Sequence, residues 1–298
     1  MGTPDFAVAS LRALHGAGYD IAAVISKPDS PKNRGMKLTP SPVKQAALEL
    51  GLPVYTPEKI KSAETEELLR SFNADVFAVV AFGRLLPKSF LTMPPMGCVN
   101  VHGSLLPQYR GAAPVQWSVL NGDKVGGVTT MLLDEGMDTG AMLLSRSVEI
   151  GEYESFGELY ARLAGVGAEL LLETLSGLAA GAVTPVPQDE TKASYAPPVT
   201  KDMCPVDWAA EQVDIINKVR GLSPSPAAFA DICGVRFKLY AAHRGGNSDK
   251  APGSVVRADK NGLEVACGGG KTVVITELQA AGGKRMKAAD YLRGHPLA

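Results

Sequence analysis

Cysteine is scarce in this sequence, with four residues in 298. Cys98, Cys204, Cys233 and Cys267 show no Cys-x-x-Cys spacing and no histidine partner at metal-ligand distance along the chain, which argues against a zinc site or a disulfide framework. All four read as small core hydrophobes. Long apolar runs are missing too: stretches such as 76–83 fall far short of the ~18 residues a membrane span needs. The amino end, Met1-Gly2-Thr3-Pro4-Asp5-Phe6, has no basic region followed by an apolar core, and Phe6 stands where a myristoylation signal wants Ser or Thr. A cytoplasmic chain that touches no membrane is the expectation. There is no internal repeat and no low-complexity tract. With apolar residues at 45%, charged residues at 20%, and Gly 32 and Pro 21 spread along the chain, collagen-like, disordered and coiled-coil classes are excluded.

The length suffices for two domains, each with its own core. Net charge is only -1, but the chain is asymmetric. Residues 1–187 carry 15 basic and 19 acidic side chains, and residues 207–298 carry 13 and 9, so the two parts stand at -4 and +4. A basic small domain permits a polyanionic partner without requiring one.

From residue 5 to 187, helical periodicity alternates with short apolar runs. Phe6–His15 predicts a helix closed by Gly16 and Gly18, followed by a buried strand over 21–26. Ser41-Pro42 supplies an N-cap and a first-turn proline to a helix ending at Gly51. The runs 76–82 and 98–102 suit parallel strands covered on both faces. Helices are expected at 64–73, 113–121 and 155–179, with extended runs at 127–133 and 142–150 adding to the sheet. This is the alternation of a doubly wound α/β sheet. Prolines at 185, 187, 197, 198 and 205 interrupt both helix and sheet, placing a linker at 188–206. Beyond it, in 207–298, a helix near 209–221 precedes short strands separated by Gly, Asn and Asp turns, which suggests a small β-barrel.

Two polar side chains end one predicted buried strand in Cys98-Val99-Asn100-Val101-His102-Gly103. Two residues apart, Asn100 and His102 share a face. Ligands of α/β sheets bind outside the carboxyl ends of the strands, where His102 and the neighbouring Phe82-Gly83 would open on one crevice. The plainer alternative is a hydrogen-bonded core couple. Asp138 lies between glycines in Asp134-Glu135-Gly136-Met137-Asp138-Thr139-Gly140 and alone is a turn residue. Together, Asn, His and Asp suggest chemistry at a carbonyl without a covalent nucleophile: a fixed donor for an oxyanion, a proton carrier, and a carboxylate that orients the imidazole.

Rival motifs fail on their own geometry. Gly270-Lys271-Thr272 has Val265 where a phosphate loop needs its first glycine, and it joins two strand-like runs. Gly16-Ala17-Gly18 and Gly165-Val166-Gly167 lack the third glycine of a dinucleotide loop. Ser104 is not in Gly-x-Ser-x-Gly, and one His with one Asp is too few ligands for a metal, so none is expected. Residues 27–44 hold Lys27, Lys32, Arg34, Lys37 and Lys44 against Asp29 alone. Such a +4 loop is either merely solvated or able to grip phosphates of an RNA.

Taken together, these residues resemble the folate-dependent formyltransferase family, the methionyl-tRNA formyltransferases in particular. The similarity runs from end to end. It is carried by Gly2-Thr3-Pro4-Asp5-Phe6, by Asn100-x-His102 with Ser104-Leu105-Leu106-Pro107, and by Asp138 in an Asp-x-Gly loop. Tyr109-Arg110-Gly111-Ala112-Ala113-Pro114 and Lys37-Leu38-Thr39-Pro40-Ser41-Pro42-Val43-Lys44 narrow it further. The resemblance implies a Rossmann-like catalytic domain with a mostly parallel sheet and a smaller OB-like β-barrel domain that helps hold tRNA.

It further implies formyl transfer from 10-formyltetrahydrofolate, a co-substrate, to the α-amino group of methionyl-initiator tRNA in translation initiation, by a monomer. Asn100, His102 and Asp138 would be catalytic. Phe82, Gly83 and Ser104, Leu105, Leu106 and Pro107 would line the folate site, and Lys32, Arg34 and Lys37 would reach the acceptor end of the tRNA. Alternatives are a formyltransferase for a small amine, such as an amino sugar or a purine precursor, and a noncatalytic RNA-binding relative. One departure stands out: the family has a short strand before the Gly-Thr-Pro-Asp-Phe turn, and here Met1 precedes that turn directly. The expectation is an upstream start or a truncated chain, with unpaired strand edges and an open flank in the core.

Overall fold

The computed structural model describes residues 1–32 and 37–297. Chain order begins α1 (Asp5–Gly16), β1 (Val24–Ile25), β2 (Ser30–Lys32), β3 (Lys37–Thr39), α2 (Pro42–Glu49), β4 (Val54–Tyr55), α3 (Ala63–Ser71), β5 (Phe77–Val80). It continues through α4 (Lys88–Leu91), β6 (Cys98–His102), β7 (Arg110–Gly111), α5 (Pro114–Leu120), β8 (Val125–Leu132), β9 (Met142–Glu149), α6 (Phe156–Ala179) and β10 (Tyr195–Ala196). The carboxyl-terminal elements are α7 (Gln212–Gly221), β11 (Ala228–Ile232), β12 (Val235–Asn247), β13 (Val255–Asp259), β14 (Gly262–Cys267), β15 (Lys271–Ala280), β16 (Met286–Lys287) and α8 (Ala288–Gly294).

Two compact units result, and neither is a single stretch of chain. The first comprises Met1–Gly111, Gly127–Val148 and Tyr160–Tyr195; the second comprises Ala112–Gly126, Glu149–Leu159 and Ala196–Ala298.

In the first unit, β5, β6, β8 and β9 form a sheet in that order. Strand β6 runs parallel to β5, with Val79 opposite Asn100, and antiparallel to β8, with His102 opposite Thr129. All five residues of β6 are buried, as expected of a strand covered on both faces. Helix α6 packs with Leu159, Leu163, Leu170, Leu171 and Leu175 inward, and Gly167 brings it so close that a Cβ there would stand 2.8 Å from Val101. This glycine is therefore a packing contact within a helix. Because side chains alternate along β6, the Val101 face is turned to α6 and Asn100 and His102 lie on the opposite face. Helix α2 starts as the sequence indicates: Ser41 Oγ accepts from Lys44 N at 3.0 Å, and Ser26 Oγ lies 2.6 Å from it.

Strand β1 is shorter than the expected 21–26. It pairs only with β4, in parallel, and belongs to a separate two-stranded sheet. Between β1 and β5, Met1 and Gly2 make a connection: Gly2 N donates to Ile25 O at 3.0 Å, and Val80 N donates to Met1 O at 2.9 Å. Beyond that crossing lies a cavity of about 910 Å³ bordered by Ile21, Val24, Phe77, Ala78, Leu171 and Leu175 among others. The strand stops where its ladder partner stops.

In the second unit, the sheet runs β11-β12-β15-β14-β13, with β16 paired to β15, and its pairs are antiparallel. The expected small barrel does not close among the described residues: β11 and β13 are edges. The free side of β11 is taken instead by the preceding segment, since Phe229 N donates to Cys204 O and Val206 N to Phe229 O, both at 2.9 Å. Leu239, Leu263, Val265, Val273, Ile275 and Leu278 fill its core with Ile215 and Val219 of α7. Gly270-Lys271-Thr272 sits in a hairpin, with Cys267 opposite Lys271.

Candidate active site

Asn100 and His102 share one face of β6, and His102 stands at the carboxyl end of that strand. Asn100 is 8% exposed, and its amide is not a sealed, unpaired group: among the described residues the buried side-chain polar atom without a partner is Ser10 Oγ. A donor that keeps accessible surface on an otherwise buried strand can meet a ligand there. His102, 6% exposed, places Nε2 2.9 Å from the Tyr109 carbonyl. A carbonyl only accepts, so Nε2 carries the hydrogen and Nδ1 is left facing Asp138, whose Oδ2 lies 3.7 Å away. That is ion-pair distance for a protonated ring, and too long for a direct hydrogen bond.

Asp138 adopts φ +55, and Tyr109 and Ala81, also non-glycine, adopt φ +60 and +45. Each left-handed residue costs about 1–2 kcal/mol, and strained backbone collects at working sites when the surroundings hold it. Asp138 Oδ2 accepts from Gly111 N at 2.8 Å. One short segment therefore secures both partners: Tyr109 presents its carbonyl to His102, and Gly111 its amide to Asp138.

The loop after β6 is pinned by Thr129, which lies opposite His102. Thr129 Oγ1 donates to Ser104 O at 2.8 Å and accepts from Leu106 N at 3.1 Å. Ser104 Oγ is spent on Gln108 O at 2.5 Å, so its hydroxyl hydrogen is committed to the loop. Leu105 packs against Gly127, where a Cβ would stand 2.6 Å from it. Across the crevice, Phe82 is buried and its carbonyl accepts from Thr3 Oγ1 at 3.1 Å. Gly83 has φ +67, and a Cβ there would meet Lys27 Nζ at 2.6 Å.

Of the basic loop, Arg34 lies outside the described residues, as do the side chains of Lys32 and Lys37, which pair through their backbones at the base of the β2–β3 hairpin. Lys44 Nζ neutralises Asp29 at 2.7 Å. The sequence reading missed Arg110 and Gln188. Arg110 is 1% exposed and was noticed only as part of a motif, while Gln188 carries no local signal. Among the described residues no group of three or more His, Cys, Asp or Glu could hold a metal ion, and no helix is long and apolar enough to cross a membrane.

The sequence matches the formyl transferase family over residues 1–175 and the formyl transferase C-terminal domain over 198–296. A methionyl-tRNA formyltransferase of Trichlorobacter lovleyi is 48% identical over 298 residues, which is 100% of this chain and 94% of that protein. The chain belongs to the methionyl-tRNA formyltransferase family. Its formyltransferase fold is shared with solved structures of much lower identity. An N-formyltransferase of Helicobacter canadensis, in complex with folinic acid and dTDP-3-aminofucose, superposes with a TM-score of 0.67 at 18% identity, over 92% of this chain and 96% of that one. HypX of Aquifex aeolicus, in complex with tetrahydrofolic acid, gives 0.62 at 19%, over 82% of this chain and 43% of that one.

Proposed function

We propose that this formyltransferase moves the formyl group of 10-formyltetrahydrofolate to the α-amino group of methionyl-initiator tRNA, for translation initiation in the cytoplasm, acting as a monomer. The observation that carries the reading is the Asn100 side-chain amide on the same face of a buried strand as His102. An amide donor there suits an oxygen that gains charge during the reaction. The folate-lining roles of Phe82, Gly83 and Ser104–Pro107 follow the family pattern; the apolar Phe82, Leu105, Leu106 and Pro107 suit a ring system, and Lys27, whose Nζ approaches Gly83, suits an anionic end.

In the proposed reaction the free α-amine attacks the formyl carbon. A carbon–nitrogen bond forms, the formyl oxygen becomes an oxyanion, and the intermediate collapses as the bond to the folate nitrogen breaks, with a proton passing from the attacking to the leaving nitrogen. Asn100 Nδ2 donates to the oxyanion. His102 faces the reaction through Nδ1, since Nε2 is turned to Tyr109, and Asp138 balances the charge of the protonated ring. Arg34, with Lys32 and Lys37, meets the tRNA backbone or an unpaired base. Residues 1–187 and 207–298 would divide the labour between catalysis and tRNA holding, joined through 188–206.

The test is a transfer assay with labelled formyl donor, offering charged initiator tRNA and, separately, an amino-sugar nucleotide. Label should pass to the methionyl nitrogen of the tRNA. Transfer only to the small amine would replace this reading with the alternative, and transfer to neither would favour a noncatalytic relative.

A further inference from the structure

Arg110 is the largest fully buried side chain of the described residues, and the reaction does not use it. A buried guanidinium is an expensive way to fill space, because an apolar side chain of similar size avoids its desolvation. Its partners indicate what it does instead. Nη1 and Nη2 donate to the two carboxylate oxygens of Glu190 at 2.8 and 2.7 Å. Nε and Nη2 both donate to Gln188 Oε1, at 3.0 and 2.8 Å.

With Oε1 held by two donors, the Gln188 amide has one orientation. Its nitrogen must point the other way, and it donates to Asp138 O and Gly140 O, both at 2.8 Å. Those carbonyls flank the backbone of Asp138, whose φ of +55 persists only if its surroundings hold it. A lone glutamine could rotate and present its oxygen to these carbonyls; the guanidinium forbids that. Arg110 also lies between Tyr109, whose carbonyl accepts the His102 Nε2 hydrogen bond, and Gly111, which donates to Asp138 Oδ2.

We propose that Gln188, locked in orientation by Arg110, is a positioning residue that holds Asp138 against His102. The proposal rests on the catalytic reading of Asp138 given above. Gln188→Glu separates it from a merely structural role, because a carboxylate satisfies Arg110 at least as well while losing both donations to the Asp138 loop.

The experiment measures steady-state formyl transfer to methionyl-initiator tRNA for Gln188→Glu and Gln188→Ala, alone and combined with Asp138→Asn, with thermal melts of each. Gln188→Glu should melt near the parent yet lose about 10- to 100-fold in kcat, the scale of a misplaced catalytic group, with KM for both substrates within about threefold. Added to Asp138→Asn, neither substitution should slow transfer by more than about twofold, since residues acting as one unit are not additive. A parent-like kcat for Gln188→Glu would overturn the proposal and leave Gln188 as a partner for Arg110 alone. Losses that multiply in the Asp138→Asn background would overturn it as well. If Asp138→Asn by itself transferred formyl within a few-fold of the parent, the catalytic reading would fall first, and this one with it.

Discussion

At the residue scale, the arrangement around His102 assigns unequal roles to its two nitrogens. Nε2 is committed to a backbone carbonyl, which fixes ring and tautomer, and Nδ1, 3.7 Å from Asp138 Oδ2, is the atom left for the proposed chemistry. Replacing that carboxylate by an amide keeps the shape and removes the charge. Asp138→Asn should therefore bind folate as the parent does and transfer formyl about 10²- to 10⁴-fold more slowly, the range of proton-transfer and oxyanion groups; initial-rate kinetics with equilibrium folate binding check both halves. Thiol chemistry gives an independent check of burial. Desolvation pushes the Cys98 thiol up to about 12 and raises Cys204 and Cys267 as well, whereas Cys233 is exposed. Since the thiolate is the reactive form, the native protein should take up one equivalent of a maleimide reagent at neutral pH, at Cys233, and three more on denaturation. Rapid native labelling of Cys98 would contradict the packing of β6.

At the element scale, what the sequence made legible was whatever a short window decides. Alternation placed Asn100 and His102 on one face, and the Ser41-Pro42 pair marked a helix start that the Ser41 hydroxyl caps. Features set by distant partners stayed hidden. The Arg110–Gln188 bonds join positions 78 residues apart and the Gln188–Asp138 bond positions 50 apart, so no local pattern announces them. Strand β1 was overestimated because its apolar run is long enough, but a ladder lasts only as long as its neighbour. The barrel of the second unit was overestimated because strand count does not reveal that Cys204–Val206 would occupy the edge of β11. The cavity beside β1 carries its own prediction. Ser10 on α1 borders it and its buried hydroxyl lacks a partner among the described residues. Ser10→Ala should therefore stabilise the protein by about 1 kcal/mol, combining a removed orphan hydroxyl with better helix propensity. Chemical denaturation would show the midpoint rising; a midpoint that fell would mean Ser10 is satisfied in solution.

At the scale of the whole molecule, a chain of net charge -1 is proposed to act on a polyanion, which places the burden on local charge. Residues 27–44 carry five basic side chains and one acid, and Lys44 already neutralises that acid. Arg34→Ala should weaken use of tRNA by about 1–3 kcal/mol, the range of a stacking contact, and flatten its salt dependence by roughly one unit of slope for a lost phosphate contact, without altering folate binding. Titrations of tRNA at two salt concentrations decide this, and equal behaviour of parent and variant would leave the loop merely solvated. The central claim, however, is that the Asn100 amide, on a buried strand, donates to a charge that exists only during transfer. Its most direct test is the single-turnover rate of formyl transfer to methionyl-initiator tRNA, at saturating folate donor, for the parent and Asn100→Ala. The account predicts a rate about 10²- to 10³-fold lower, near 3–4 kcal/mol of lost transition-state stabilisation, with half-saturating tRNA unchanged. A variant that transferred formyl as fast as the parent, or that differed only in half-saturation, would contradict it.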